Sequence, residues 1–183
     1  MSRLPAELGD GALLRRLVME DLEELWALVD RERDRLGEWM LWVALNPTMT
    51  IEDEREWLES VSSNPQNLEG CGIFVDGRFV GGVGLMPEQF GITGEIGYWI
   101  GSEHEGRGLV TRAVLVLLDV GFEELGLNRI VIRAGVGNAR SRAIPERLGF
   151  TREGTERGAG RGTGGYYDSV VYSMLRDEWT PTT

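Results

Sequence analysis

The chain has 183 residues with 30 acidic and 19 basic side chains, a formal net charge of −11, and every basic residue is arginine. So acidic a chain is a poor nucleic-acid binder, and without lysine it has neither a Schiff-base amine nor the phosphate-binding lysine of a P-loop. Cys71 is the only cysteine, which excludes disulfide staples and thiolate metal clusters and reads as a small apolar strand residue.

The first residues, "MSRLPAELGDGALLRRLV", hold no apolar run of signal-peptide length. No later stretch approaches a membrane span, so the expectation is a cytoplasmic protein with no membrane contact. The length suits one domain, residues 1–183. "GALLRRLV" (11–18) reads as a first strand. "MEDLEELWALVDRERDRL" (19–36) places Leu22, Leu25, Trp26 and Val29 at helical spacing, with acids early and arginines late as the helix dipole prefers. An aromatic-rich loop follows, "GEWMLWVALNP" (37–47). Thr50 and Asp53 then form a capping-box pattern that opens a second helix over 50–63.

From residue 71 the period changes. "CGIFVDGRFVGGVGLM" (71–86) is a hairpin turned at Asp76-Gly77, a dipeptide suited to a type I′ turn. "GEIGYWIG" (94–101) is a further strand. The segment 107–125 carries two apolar stripes and predicts a buried helix. "RIVIRAGV" (129–136) is a strand, and "NARSRAIPERLGF" (138–150) a short helix stopped at Gly149 despite Pro145 inside it. Strands at 150–156 and 166–175 flank "RGAGRGTGG", which reads as a mobile hairpin loop.

The junction "WIGSEHEGRGLVTRAV" carries the chemistry. Gly101 to Gly106 has the spacing of a Walker A loop, but Arg107 and Gly108 stand where lysine and Ser/Thr are required. A dinucleotide fingerprint would need glycine where Thr111 stands. A third arrangement needs neither. The amides of Gly106, Arg107, Gly108, Leu109, Val110 and Thr111 open a helix without intrahelical acceptors, and the dipole adds positive charge, so a pyrophosphate can sit there. Glycines at 106 and 108 let it approach the backbone. The alternative is a tight turn that needs glycine for its backbone alone. Residues 1–104 carry 20 acids against 8 arginines, and 105–183 carry 10 against 11. The front half therefore suits a cation, while the back half tolerates an anion.

"EGRGLVTRAV", "NARSRAIPERLGF" about thirty residues on, and "YYDSVVYSMLRDEW" together resemble the GNAT superfamily of acyl-CoA-dependent N-acetyltransferases. The match is best to its RimL/RimJ-like branch of ribosomal-protein N-terminal acetyltransferases, which "EIGYWI" and "RLGEWMLW" also resemble. The resemblance spans nearly the whole chain. It implies an α/β (α+β) GNAT fold: a mixed, mostly antiparallel seven-stranded sheet, with parallel central strands that splay apart, flanked by about four helices. It implies acetyl-CoA or another short-chain acyl-CoA as co-substrate, no metal, and pantetheine in the splay beside the backbone of Trp99, Ile100 and Gly101. The partners it implies are acyl-CoA and an amine acceptor, and it allows a homodimer. Glu105 departs from the family, whose loop usually begins with Gln or Arg, and an acid suits a pyrophosphate site only if its carboxylate turns away.

By the same resemblance, the Asn138 amide orients pantetheine, the Ser141 hydroxyl is the general acid near sulfur, and the Ile100 amide is the oxyanion donor. A helix cap is the alternative role for Asn138. Glu95 and Glu69 are the candidate bases. His104 sits in the phosphate loop on the wrong side of the splay. An α-amine titrates about 2.6 units below a lysine, so roughly one α-amine in seven is neutral at pH 7, and a site lacking an evident strong base suits an α-amine. Trp39, Trp42 and Trp57 are candidates to line the acceptor pocket. The resulting expectation is an enzyme moving a short acyl group to a primary amine, on a protein amino terminus or a small molecule, by direct attack. The alternative is a catalytically silent acyl-CoA-binding or interaction module on the same fold.

Overall fold

A computed structural model of the chain describes residues 3–64, 67–88 and 90–181. Its strands are β1 (Ala6–Gly9), β2 (Ala12–Arg16), β3 (Leu68–Val75), β4 (Arg78–Pro87), β5 (Thr93–Ile100), β6 (Arg129–Gly135), β7 (Thr151–Gly162) and β8 (Gly165–Leu175). Its helices are α1 (Leu22–Arg31), α2 (Arg33–Gly37), α3 (Leu41–Leu45), α4 (Ile51–Ser62), α5 (Leu109–Asp119), continued by a π-helical turn over Val120–Glu124, and α6 (Ala139–Arg147). One sheet runs in the order β1-β2-β3-β4-β5-β6-β8-β7. All neighbours are antiparallel except β5 and β6.

Both faces of the sheet are covered. α5 lies on one, where Leu117, Leu118 and Phe122 meet Ile130, Ile132 and Tyr172. α1 and α4 lie on the other, packing Leu25, Leu28, Val29 and Leu58 against Phe74 and Phe79. The alternation of the strands supplies both faces at once, which is why β3 and β4 are nearly continuous apolar runs. Cys71 is buried in β3, and burial pushes its thiol up to about 11, out of the range of a reactive thiolate.

The expected mixed sheet is present, as is the 76–77 turn, with φ +49 and +79 at its two central residues as a type I′ turn requires. The Thr50–Asp53 capping box also forms, the Thr50 amide donating to the Asp53 carboxylate at 2.7 Å. Four features differ from expectation. Among the described residues the strands number eight, because four-residue β1 is too short to leave a periodic signal. Among the described residues the α-helices number six, because α3 forms inside the aromatic segment read as a loop and the segment 19–36 holds two helices, α1 and α2. The helix expected over 19–36 breaks at Glu32, whose side chain turns inward and is nearly fully buried.

The fourth difference is the segment 157–165, read as a mobile loop. It is instead the end of a long β7–β8 hairpin. Its glycines are demanded by close approach: a Cβ at Gly160 would collide with the Tyr167 ring, and one at Gly162 with the Glu38 carbonyl. The hairpin end is pinned to the α2–α3 connection, with the Thr163 amide on the Gly37 carbonyl at 2.8 Å and the Tyr167 hydroxyl on the Trp39 carbonyl at 2.6 Å. Among the described residues no helix is long and apolar enough to cross a membrane.

Candidate active site

β5 and β6 pair at only three positions, Thr93 with Arg129, Gly94 with Ile130 and Glu95 with Val131. Beyond these the two strands part. β5 stays in unbroken register with β4 on its other side, from Gly94 opposite Pro87 to Ile100 opposite Gly81. The Gly101 amide donates to the Val80 carbonyl at 2.8 Å. Alternation of an antiparallel ladder then directs the Trp99 polar groups towards β4 as well, and those of Tyr98 and Ile100 into the gap left by β6. Of the three residues expected to present backbone to pantetheine, Ile100 faces the gap, whereas Trp99 and Gly101 turn towards β4.

The loop before α5 faces the mouth of this gap. Gly106 and Gly108 both have φ +72, while Arg107 between them has negative φ. Such alternation of hand turns successive amides to one side and makes an anion-binding concavity. The Arg112 amide reaches the Gly108 carbonyl at 3.1 Å, so the amides of Leu109, Val110 and Thr111 lie outside the helical ladder. A Cβ at Gly106 would meet nothing within 4 Å. That glycine is there for its backbone conformation, and the space beside it is open.

Between this loop, β5 and α6 lies a cavity of about 620 Å³, within the usual range for small-molecule sites. Trp99, Ile100, Gly106, Gly108, Leu109, Val110, Thr111, Asn138 and Ser141 all line it. Gly101, Arg107, Glu69 and Glu95 do not. Trp39 lines it too, stacked edge-on against Tyr167 with ring centroids 5.3 Å apart. Trp57 packs instead with the residues on the α1–α4 face, and Trp42 is exposed, its ring tilted against Trp99. His104 is also part of the lining.

Glu105 is balanced by two guanidinium groups. Arg35 donates to one carboxylate oxygen at 3.0 Å, and Arg140 pairs with the other. Arg35 also donates to Glu32 at 2.6 Å and to the Ile100 carbonyl at 2.5 Å. Glu32 in turn accepts from the Ser102 hydroxyl at 2.7 Å and the Ser102 amide at 3.2 Å. Burial alone would raise the Glu32 carboxyl, but the Ser102 and Arg35 hydrogen bonds outweigh it and hold the group below its ordinary value. The break between α1 and α2 thus has a local purpose. It turns Glu32 towards the end of β5, where it orients Arg35, which holds the Ile100–Gly101 peptide and pairs with the Glu105 carboxylate beside the loop.

On α6, Asn138 is the helix cap, its Oδ1 accepting the Ser141 amide at 3.1 Å. With its oxygen turned to the Ser141 amide, its amide nitrogen is left as a donor for a ligand. Ser141 faces β5: its hydroxyl donates to the Tyr98 hydroxyl at 3.3 Å, and Tyr98 donates to the Ser141 carbonyl at 2.9 Å. Burial pushes the Tyr98 phenol well above its usual value, so it stays protonated near neutrality. At the other end of the cavity Arg147 donates to the Thr111 hydroxyl at 3.3 Å, tying α6 to α5.

The structure does not bring the two expected bases to this cavity. Glu95 sits where β5 and β6 are still paired, about 16 Å along the strand from Ile100, with its carboxylate 2.6 Å from Arg133. Glu69 is exposed two strands away on β3, where its backbone packs over Gly84. The acidic residues that do line the cavity are Glu38 and Glu105. Sequence reasoning passed over Arg35, Glu38, Tyr98, Arg140 and Arg147. Only the Glu32–Arg35 spacing of three, which predicts a helical ion pair, offered a local signal for any of them.

The model of the acetyltransferase (GNAT) domain family matches residues 12–151. The chain is 39% identical over 169 residues to "Putative ribosomal N-acetyltransferase YdaF" of Bacillus subtilis (strain 168), over 91% of this chain and 92% of that one. It superposes on a crystal structure of a probable acetyltransferase with a TM-score of 0.87 and 35% identity, over 96% and 99% of the two chains. A third relative is the microcin C7 self-immunity acetyltransferase MccE, solved in complex with acetyl-CoA and AMP. The TM-score there is 0.82 at 27% identity, with 93% of this chain and 96% of that one covered.

Proposed function

The chain belongs to the acetyltransferase (GNAT) family, and on that premise we propose that it moves an acetyl or similar short acyl group from CoA to an exposed α-amine by direct attack. The observation that carries this reading is the coincidence of an inward-facing Ile100 amide, a loop of unladdered amides and the Ser141 hydroxyl on one cavity. The loop amides fit a pyrophosphate in charge and geometry, and the gap between β5 and β6 fits an extended, polar, narrow arm. Acyl-CoA, when bound, supplies an activated thioester carbonyl.

The residues of this chain do the rest. Amides of the 106–111 loop hold the anion. The Ile100 amide, fixed by its strand and by the Arg35 grip on the next peptide, donates to the carbonyl oxygen as that oxygen gains charge. A C–N bond forms and a C–S bond breaks; the amine loses a proton and the sulfur gains one, with the Ser141 hydroxyl as the donor nearest the departing thiolate. No dedicated strong base is required when a useful fraction of the acceptor is already neutral. The excess of acids in residues 1–104 favours a cationic acceptor, and the name of the Bacillus relative, a putative ribosomal N-acetyltransferase, supports an amine on a ribosomal component as the acceptor.

The test is single-turnover thiol release from acetyl-CoA across an amine panel at pH 7. Peptides with a free amino terminus should react at least about tenfold faster than amino-blocked peptides bearing lysine, because lysine is deprotonated about 350-fold less at that pH. Equal rates, or a preference for lysine, would overturn the α-amine reading. Binding of acetyl-CoA with no thiol release from any amine would instead describe a silent binding module.

A further inference from the structure

α6 carries a proline in its interior, Pro145, the seventh of nine residues. Proline has no amide hydrogen, and its ring pushes against the carbonyl four residues earlier. That carbonyl belongs to Ser141. It therefore lacks its regular helical donor, and the Tyr98 hydroxyl, reaching from β5 across the gap, donates to it at 2.9 Å. A carbonyl only accepts, so the Tyr98 proton is committed there. The second contact, Ser141 Oγ to the Tyr98 hydroxyl at 3.3 Å, must then run from serine to tyrosine.

From this arrangement we infer that Tyr98 is a positioning residue for acyl transfer, and that Pro145 is the reason it can be one. Proline exposes the Ser141 carbonyl, Tyr98 takes hold of it, and the hold fixes how far α6 stands from the strand that presents the Ile100 amide. It also gives the Ser141 hydroxyl a single resting direction, along a long bond that a departing thiolate can replace. α6 is tethered independently on its β8 side, where the Tyr172 hydroxyl donates to Glu146 at 2.6 Å and accepts from Arg142 at 3.2 Å. Loss of the Tyr98 contact should therefore shift the helix without detaching it. This inference rests on the reading of Ser141 as the group beside the leaving sulfur.

The experiment is a double-mutant cycle with Tyr98→Phe and Pro145→Ala, read by single-turnover thiol release and by acetyl-CoA affinity. Tyr98→Phe keeps the half-buried ring and removes only the hydroxyl. It should slow thiol release about tenfold, the kinetic equivalent of one hydrogen bond, while acetyl-CoA affinity changes less than about twofold. Pro145→Ala restores an amide to the Ser141 carbonyl and removes the ring that displaces it. In that background the further loss from Tyr98→Phe should shrink to less than about threefold. An equal loss in both backgrounds, or no loss in either, overturns the inference.

A control separates positioning from general damage to the fold. In a Ser141→Ala background Tyr98→Phe should cost nothing more, and a full tenfold loss there would also overturn the inference. If the unaltered protein neither binds acetyl-CoA nor releases thiol, the reading of the whole site falls and this inference with it. Normal turnover with an additive cycle rejects Tyr98 alone.

Discussion

Ser141→Ala should slow single-turnover release of the CoA thiol by about 100-fold, the lower end of the range for losing a general acid. Acetyl-CoA affinity should change by less than about threefold. The hydroxyl sits on the cavity wall with its proton resting on Tyr98 through a 3.3 Å contact, long enough to give way to a stronger acceptor. As the C–S bond lengthens, the thiolate becomes that acceptor. In the ground state sulfur is a weak one, so the lost interaction belongs to the transition state and should appear in rate rather than binding. A thiol-reactive chromophore suits the measurement, since buried Cys71 with its raised pKa should give little background. Unchanged turnover would remove Ser141 from the chemistry. A loss confined to affinity would make it a pantetheine contact.

Gly108→Val should weaken acetyl-CoA binding by about 100-fold and leave the chain folded. With φ at +72, this position excludes a β-branched side chain. The loop relieves that strain by rotating to negative φ, which ends the alternation of hand across 106–108 and turns the neighbouring amides off their common centre. Losing two charge-assisted hydrogen bonds to a phosphate costs about 3 kcal/mol, and that energy corresponds to the predicted factor. The nearest atom to an added Cβ is the end of the flexible Arg112 side chain at 3.4 Å, so packing is not the source of the effect. Unaltered affinity in a folded Gly108→Val protein would mean that the turn serves the chain alone.

The parts of the site that could be read from the sequence are those built from neighbours. The glycine loop and the Asn138–Ser141 pair each lie within one turn of chain, and their spacing alone brings them together. The strand pattern at 94–101 and 129–136 was equally plain, because alternation and β-branched residues act locally.

What could not be read is what spans the chain. Glu105 looks ill-suited to an anion site until Arg35, 70 residues earlier, and Arg140, 35 residues later, are seen to hold it. Tyr98 and Ser141 are 43 residues apart. Their contact depends on the gap between β5 and β6, which leaves no mark on either strand. The break at Glu32 is a tertiary override of good helix propensity, driven by what the buried carboxylate gains from Ser102 and Arg35. Glycine-rich 157–165 misleads for the opposite reason. Glycine signals a loop by its freedom, yet here Gly160 and Gly162 make room for a ring and a carbonyl that press directly on the strand. Glu95 and Glu69 have the chemistry of a base without the position: one remains in the paired part of the sheet, the other stands outside the cavity.

The central claim is that backbone amides at the start of α5 and at Ile100 hold the acyl-CoA, and amide chemical shifts report on those groups one by one. Titration of the nitrogen-15-labelled protein with acetyl-CoA should move the amides of Gly106 through Thr111 and of Ile100 most, in a single saturable transition. Those of Trp99 and Gly101, bonded towards β4, should move less. Saturable binding with the 106–111 and Ile100 amides unmoved, or no binding at all, would contradict it.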